Sequence, residues 1–205
     1  MTPWLLFGAG SGVGACLLEL ARQQQRPVTL LIRNPQQADA LRASGVNVVC
    51  GDACDPPSVQ SACRLAGTQA AIVSTLGSKS ADYHANRLII DTAEQLGLQR
   101  MLLVTSIGCG DSWPSLSPKA RAIFGQAVRE KSLAESWLQT SSLTYTIVRP
   151  GGLLDQPATG NAQRMQTEAH GMITRADVAL HLSQMVEDEG SYQRIYALID
   201  PMLKR

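Results

Sequence analysis

A chain of 205 residues, 44% hydrophobic and 17% charged, is long enough to bury a core without disulfides or metals, and its composition excludes a disordered or low-complexity protein. The formal net charge of +1, with no run of Lys or Arg, excludes the basic field that carries non-specific nucleic-acid binding. Five scattered cysteines without a C-x-x-C pair read as free thiols in a reducing, cytoplasmic setting, three widely spaced histidines leave them without the partners of a metal site, and no apolar run approaches the length of a membrane span.

The opening segment has no basic stretch, and its apolar run stops at Gly8, so it reads as a buried strand, Trp4–Phe7, and not as a signal peptide. Next come four glycines in seven residues, Gly8-Ala-Gly10-Ser-Gly12-Val-Gly14, and an amphipathic helix over Gly12–Gln24 with Cys16, Leu17, Leu20 and Ala21 on one face. A pyrophosphate is held by backbone N–H groups and the positive end of a helix, and only glycine lets the main chain turn so tightly and approach so closely. The spacing is G-x-x-x-G-x-G, not the commoner G-x-G-x-x-G, but the strand before and the helix after mark it as a dinucleotide turn. Gly8, Gly10, Ser11, Gly12, Val13 and Gly14 are its candidate contacts; a glycine-rich turn with no ligand is the alternative.

The second strand, Val28–Ile32, ends on Arg33-Asn34-Pro35. An NAD-selective protein places an acidic side chain here, about twenty residues past the glycines, to accept the ribose hydroxyls. A guanidinium instead makes forked bonds to a 2′-phosphate, so Arg33 favours NADP(H) over NAD(H). The alternative is a solvated arginine opening the helix Pro35–Ala43. The third strand, Asn47–Cys50, leads to Gly51-Asp52-Ala53, placing Asp52 and Ala53 at the height of an adenine edge, although Asp52 also fits a plain turn; Asp55 reads as the N-cap of a helix over Pro57–Leu65.

Strands at Ala70–Ser74, Arg100–Ser106, Thr144–Val148 and Arg194–Leu198 alternate with helices at Tyr83–Leu96, Ala120–Gln139 and Ala176–Glu187. Alternation of this kind predicts an α/β, doubly wound Rossmann-type parallel sheet of about seven strands with helices on both faces, a single NAD(P)-binding domain over 1–205. Ligands of such sheets lie beyond the carboxyl ends of the strands. Two long loops at those ends, Gly108–Lys119 and Gly151–Ile173, are expected to form the substrate side. Ser106 ends the fifth strand there and is the leading catalytic candidate. Lys131 has two readings of equal weight, a group bonding nicotinamide-ribose hydroxyls or a helix-surface lysine beside Glu130 and within i+4 reach of Glu135. Arg149 meets substrate or pairs with a carboxylate, and Thr174-Arg-Ala-Asp177 fits a capping box that makes Asp177 structural.

Taken together, Gly8–Gly14, Leu31-Ile-Arg33-Asn34-Pro35, Gly51-Asp52, Ser74-Thr-Leu-Gly77, Leu103-Val-Thr-Ser106-Ile-Gly108, Ile147-Val-Arg149-Pro150-Gly151-Gly152 and Ile173-Thr-Arg175-Ala-Asp177-Val178 resemble the compact, atypical short-chain dehydrogenase/reductases. These NAD(P)H-binding proteins include biliverdin-IXβ/flavin reductases and nitrogen-metabolite-repressor-like redox sensors, and the likeness covers nearly the whole chain. The resemblance implies that Ser74, Thr75, Leu76 and Gly77 line the ribose and nicotinamide. It implies too that Thr105 and Ser106 sit beside the nicotinamide and that Pro150 and Gly151 border its ring.

One departure is informative. Larger members of the superfamily use a Tyr-x-x-x-Lys pair on the helix after the fifth strand, and here Ala127 stands four residues before Lys131. Alcohol–ketone interconversion needs a positioned acid, which Ala127 cannot be. The expected chemistry is hydride transfer from NADPH to a small-molecule acceptor that needs little help with its proton, a flavin, quinone or tetrapyrrole, with Ser106 or solvent sufficient. A non-catalytic NADP(H)-binding redox sensor read by a protein partner is the alternative. A nucleotide-sugar epimerase is disfavoured by the missing tyrosine and the small C-terminal portion.

Overall fold

The computed structural model describes residues 1–77 and 82–203. In chain order the elements are β1 (Trp4–Phe7), α1 (Gly12–Gln23), β2 (Val28–Ile32), α2 (Pro35–Ala43), β3 (Asn47–Cys50), α3 (Pro56–Ala66), β4 (Ala71–Ser74), α4 (Asp82–Leu96), β5 (Arg100–Val104), a 3-10 helix at Gly110–Ser115, α5 (Pro118–Gln139), β6 (Thr144–Pro150), β7 (Gly152–Leu154), β8 (Gln163–Met165), β9 (Met172–Thr174), α6 (Arg175–Met185), a second 3-10 turn at Glu189–Ser191, and β10 (Arg194–Ile199).

The side-chain period of two explains how β1 organises two cores. All four of its residues are buried; Trp4 and Leu6 join Leu17, Ala21, Val178 and Leu182 on one face, while Leu5 and Phe7 join Val59, Ile89 and Leu138 on the other. Helices α1, α2 and α6 therefore cover one side of the sheet, and α3, α4 and α5 the other. Strand order is β3-β2-β1-β4-β5-β6-β10-β8, so the winding reverses between β1 and β4, where a crevice opens beyond the carboxyl ends.

The architecture is the expected doubly wound α/β fold with two corrections. The sheet has eight strands and is mixed, because β8 pairs antiparallel with β10 through Ala197↔Met165 and Ile199↔Gln163. The segment read as one long loop from Gly151 to Ile173 also holds β7 and β9, which form a separate parallel pair. Strands of three residues show no alternation to read, and Gln163-Arg164 has no apolar signal at all. No helix among the described residues is long and apolar enough to cross a membrane.

The N-terminus is tied to the end of the last helix. Glu187 Oε1 accepts from the Thr2 N–H at 2.7 Å and from Arg26 Nη1 at 2.9 Å, and the Arg26 guanidinium lies over the Trp4 ring. The Thr2 N–H and then the Arg26 guanidinium hold the Glu187 carboxyl down at about 2, against an ordinary 4.5. A carboxyl depressed on folding contributes stability that is complete above its unfolded value and is lost as pH falls from about 4.5 to about 2. Because the Glu187 side chain is 47% exposed, solvent screening keeps this contribution below about 1 kcal/mol. Glu187→Gln is expected to be slightly less stable than wild type at neutral pH, with the gap closing across that window in paired urea melts.

Candidate dinucleotide cleft

A cleft of about 580 Å³ lies over the β1–β4 reversal, within the size range of cofactor sites. Gly8, Gly10, Ser11, Gly12, Val13, Arg33, Asp52, Ala53, Thr75, Leu76, Gly77, Thr105 and Lys131 line it, so most of the candidates drawn from distant parts of the sequence meet in one place.

The glycine turn is built by close approach. Gly8 has φ +87, and a β-carbon on it would stand 2.7 Å from Thr75 Oγ1. Gly14 does not line the cleft. A β-carbon there would fall 2.3 Å from the Gly8 carbonyl oxygen, so Gly14 is what lets α1 seat against the turn. Thr75 Oγ1 closes the arrangement by donating to the carbonyls of Phe7 and Gly8 at 3.2 and 3.3 Å. At the start of α1, Ser11 occupies the N-cap position but makes no side-chain capping bond, whereas Asn34, Asp55, Ser117 and Thr174 each cap their own helices. The first turn of α1, whose residues Gly12 and Val13 line the cleft, is thus left without the capping oxygen that α2, α3, α5 and α6 have. This fits a bound phosphate group.

At one end of the cleft, Arg33 Nη1 is 3.9 Å from Asp52 Oδ2, with the arginine side chain 84% exposed and free to turn to a ligand. Asp52 also serves its turn, accepting from the Cys54 N–H at 2.8 Å. Gln37, which sequence reasoning passed over, donates from Nε2 to the Gly10 carbonyl at 3.0 Å and joins the lining.

At the other end, Lys131 Nζ lies 3.0 Å from Asp82 Oδ2 and donates to the Leu76 carbonyl at 3.3 Å. Its side chain is only 14% exposed, which corrects the picture of a helix-surface lysine. Nor is Glu135 its partner. Glu135 is buried and takes Arg149 through two bonds, Nε to Oε1 at 3.0 Å and Nη2 to Oε2 at 2.6 Å, and also accepts from Thr105 Oγ1 at 2.6 Å. Arg149 reaches Asp111 as well, at 2.6 Å. Its reading as a partner of carboxylates is the one the geometry follows.

Besides Gly14, four candidates stand apart from the cleft lining. Ser74 is fully buried and donates to Asn86 Oδ1 at 2.6 Å, so its side chain faces α4 and not the ribose side. Pro150 is buried at the end of β6, and a β-carbon on Gly151 would fall 2.3 Å from the Gly171 carbonyl, which makes that glycine a packing position. Ser106 donates to the Ile107 carbonyl at 3.1 Å and stands between Thr105, which lines the cleft, and Ile107, which lines a second cavity of about 80 Å³. Both long loops meet around that second cavity, through Asp111 and Ser112 from one and Gln166–Ala169 from the other, with Arg149 in its wall.

The start of α6 adds a residue that sequence reasoning left unassigned. Thr174 caps the helix by accepting from the Asp177 N–H at 2.9 Å, and Asp177 in turn accepts from the backbone of Thr159 and Gly160, so the capping box also ties down the long loop. Arg175, between them, lines the cleft beside Gly12.

The profile of a family described as NAD(P)H-binding matches residues 8–189. Among solved structures, ChuY, an anaerobillin reductase from Escherichia coli O157:H7, is 58% identical, with a TM-score of 0.96 and full coverage of both chains, 100% each. A short-chain dehydrogenase/reductase from Veillonella parvula in complex with NADP shares the fold, at 17% identity, a TM-score of 0.80 and coverage of 99% of this chain and 96% of that one. An uncharacterised sugar epimerase of Bacillus subtilis, YhfK, is 26% identical over 208 residues, 95% of this chain and 92% of its own length.

Proposed function

The chain belongs to the NAD(P)H-binding family and is an NAD(P)H-dependent oxidoreductase, and from that premise we propose that it uses NADPH to reduce a linear tetrapyrrole. The observation that carries the substrate class is the 58% identity over full length with a reductase of an anaerobillin. The active-site chemistry is compatible with it. Ala127 stands where a proton-donating tyrosine would be needed for ketone reduction, and an extended conjugated acceptor can take its proton from solvent or from a modest donor. The same gap weighs against epimerisation.

In this reading the turn from Gly8 to Gly12, with Ser11 and Val13, holds the pyrophosphate on the uncapped end of α1. Arg33 turns from Asp52 to the 2′-phosphate, a exchange between exposed groups that needs little energy. Lys131, held by Asp82 and the Leu76 carbonyl, would offer its ammonium to the nicotinamide-ribose hydroxyls, and Thr75, Leu76 and Gly77, which line the same end of the cleft, would hold the nicotinamide end. The bound dinucleotide supplies the hydride. Ser106, at the divide between the two cavities, gives up its bond to the Ile107 carbonyl, passes its hydroxyl proton to the acceptor and takes a proton back from solvent.

The test is anaerobic NADPH oxidation with a linear tetrapyrrole, a flavin and a quinone offered separately. Turnover with the tetrapyrrole at the highest kcat/KM supports the proposal; turnover with flavin or quinone alone moves the substrate class, and tight NADPH binding without turnover on any acceptor replaces the reductase by a sensor. For the cofactor itself, Arg33→Asp is expected to weaken NADPH by about 100-fold while leaving NADH within about threefold, since a charge-assisted fork is exchanged for repulsion only at the 2′-phosphate. Equal losses for the two nucleotides in calorimetric titrations would remove Arg33 from that role.

A further inference from the structure

We propose that Arg175 is a second phosphate-binding cation of the cleft, held by Asp155 until a dinucleotide takes its place, so that nucleotide binding releases the loop that follows β7. The proposal rests on the dinucleotide reading of the cleft and assigns a role to a residue outside the glycine turn.

Its first support is position. β7 and β9 pair in parallel, with Leu154 opposite Thr174. The next residue along each strand, Asp155 and Arg175, therefore leaves the pair side by side, and Arg175 Nη1 meets Asp155 Oδ1 at 2.8 Å. Helix α6 packs beside α1, Val178, Ala179 and Leu182 sharing one core with Val13, Leu17 and Ala21, and the starts of the two helices come together. A β-carbon built on Gly12 would stand 3.6 Å from Arg175 Nε. The guanidinium thus lies over the glycine turn, beside the uncapped first turn of α1.

Its second support is electrostatic. Arg175 is the first residue of α6, where the helix dipole is positive and an acidic side chain is favoured. A cation there needs an anion close by. Asp155 supplies one, but it is 84% exposed, so the ion pair is weak and readily exchanged. The turn from Gly8 to Gly14 contains no charged residue, and Arg33 and Lys131 are engaged at the two ends of the cleft. A dianionic pyrophosphate between those ends, on the N–H groups of α1, meets Arg175 as the cation at its level.

Exchange has a structural result. Asp155 begins the segment that runs on to the Gln166–Ala169 wall of the second cavity. Loss of its partner frees the near end of that segment, while the Asp177 bonds to Thr159 and Gly160 keep the middle in place.

Calorimetric titration of the wild type, Arg175→Gln and Asp155→Asn with NADPH and NADH tests this. Arg175→Gln should weaken both nucleotides alike, by about 10- to 100-fold, as expected for loss of a charged hydrogen bond. Asp155→Asn should tighten both by about threefold or more by removing the competing anion, and should do nothing in the Arg175→Gln background. Hydrogen exchange of residues 155–158 should rise on NADPH binding in the wild type and not in Arg175→Gln. Wild-type affinity in Arg175→Gln, or a loss confined to NADPH, overturns the proposal, as does weaker binding in Asp155→Asn. Failure of the wild type to bind either nucleotide would instead defeat the dinucleotide reading beneath it.

Discussion

Arg149→Met is expected to lose about 3–5 kcal/mol of folding stability, the penalty for leaving a buried charge without its partner. Glu135 and Arg149 are both buried, and their two parallel bonds at 3.0 and 2.6 Å form a planar fork. Burial alone would pull the guanidinium pKa down; the bonds and charges of Glu135, then of Asp111, more than reverse this and hold it above its ordinary value. Asp111 contributes less than Glu135, being 88% exposed on the solvent side of the pair. With methionine in place of Arg149, the buried Glu135 carboxylate keeps the Thr105 hydroxyl as its described side-chain partner and has no counter-charge beside it. The companion experiment is the double variant Glu135→Leu with Arg149→Met. Removing both charges together should recover much of the loss, because the pair's desolvation is then no longer required. Urea denaturation of the two single variants and the double variant measures this, and a single variant as stable as wild type would show that the pair is not energetically coupled to the fold.

Gly14→Ala is expected to lower NADPH affinity by about 100-fold or more, although Gly14 touches no part of the cleft. The added β-carbon would lie 2.3 Å from the Gly8 carbonyl oxygen and 2.7 Å from Thr75 Oγ1, distances at which backbone has to move. The movement available is for α1 to back away from β1, carrying its uncapped end out of register with the turn. Stability should also fall, by about 1–3 kcal/mol, as for other overpacked positions. Gly10→Ala is the informative contrast. Its β-carbon would meet only the far end of the Gln37 side chain, at 3.0 Å, which can swing aside. Near-wild-type melting is expected for Gly10→Ala and a lowered melting temperature for Gly14→Ala, so equal thermal behaviour in the two would contradict the packing account.

Where a signal is local, the sequence shows it. The bounds of β1, β2, β3 and α2 follow from short apolar runs and from Pro35 at the first helical turn, and Asp55 caps α3 as its place before two prolines suggests. The glycine turn, Arg33 and Asp52 are readable for the same reason: each follows directly from the strand that presents it. Lys131, in contrast, has its partner Asp82 on another helix, and no spacing along α5 distinguishes that contact from an i+4 bond to Glu135. Arg175 reaches the cleft only through the register of β7 with β9 and the packing of α6 on α1, neither of which leaves a pattern in three-residue strands. Its placement on the wrong side of the helix dipole was the available clue. Ser74 was legible in principle: side chains alternate across a strand, so Ser74 and Thr75 cannot both face the glycine turn.

If a dinucleotide completes the first turn of α1, as proposed above, the stability of this protein follows the free nucleotide concentration around it. A helix whose first turn is completed by a ligand, and not by its own Ser11 side chain, shares one free-energy term between folding and binding. At a free dinucleotide concentration of 100 times Kd, that term is worth about 2.7 kcal/mol of added stability. In that reading a fall in free nucleotide raises the unfolded fraction correspondingly, and resistance to a protease that acts on unfolded chains should grow as NADPH is added.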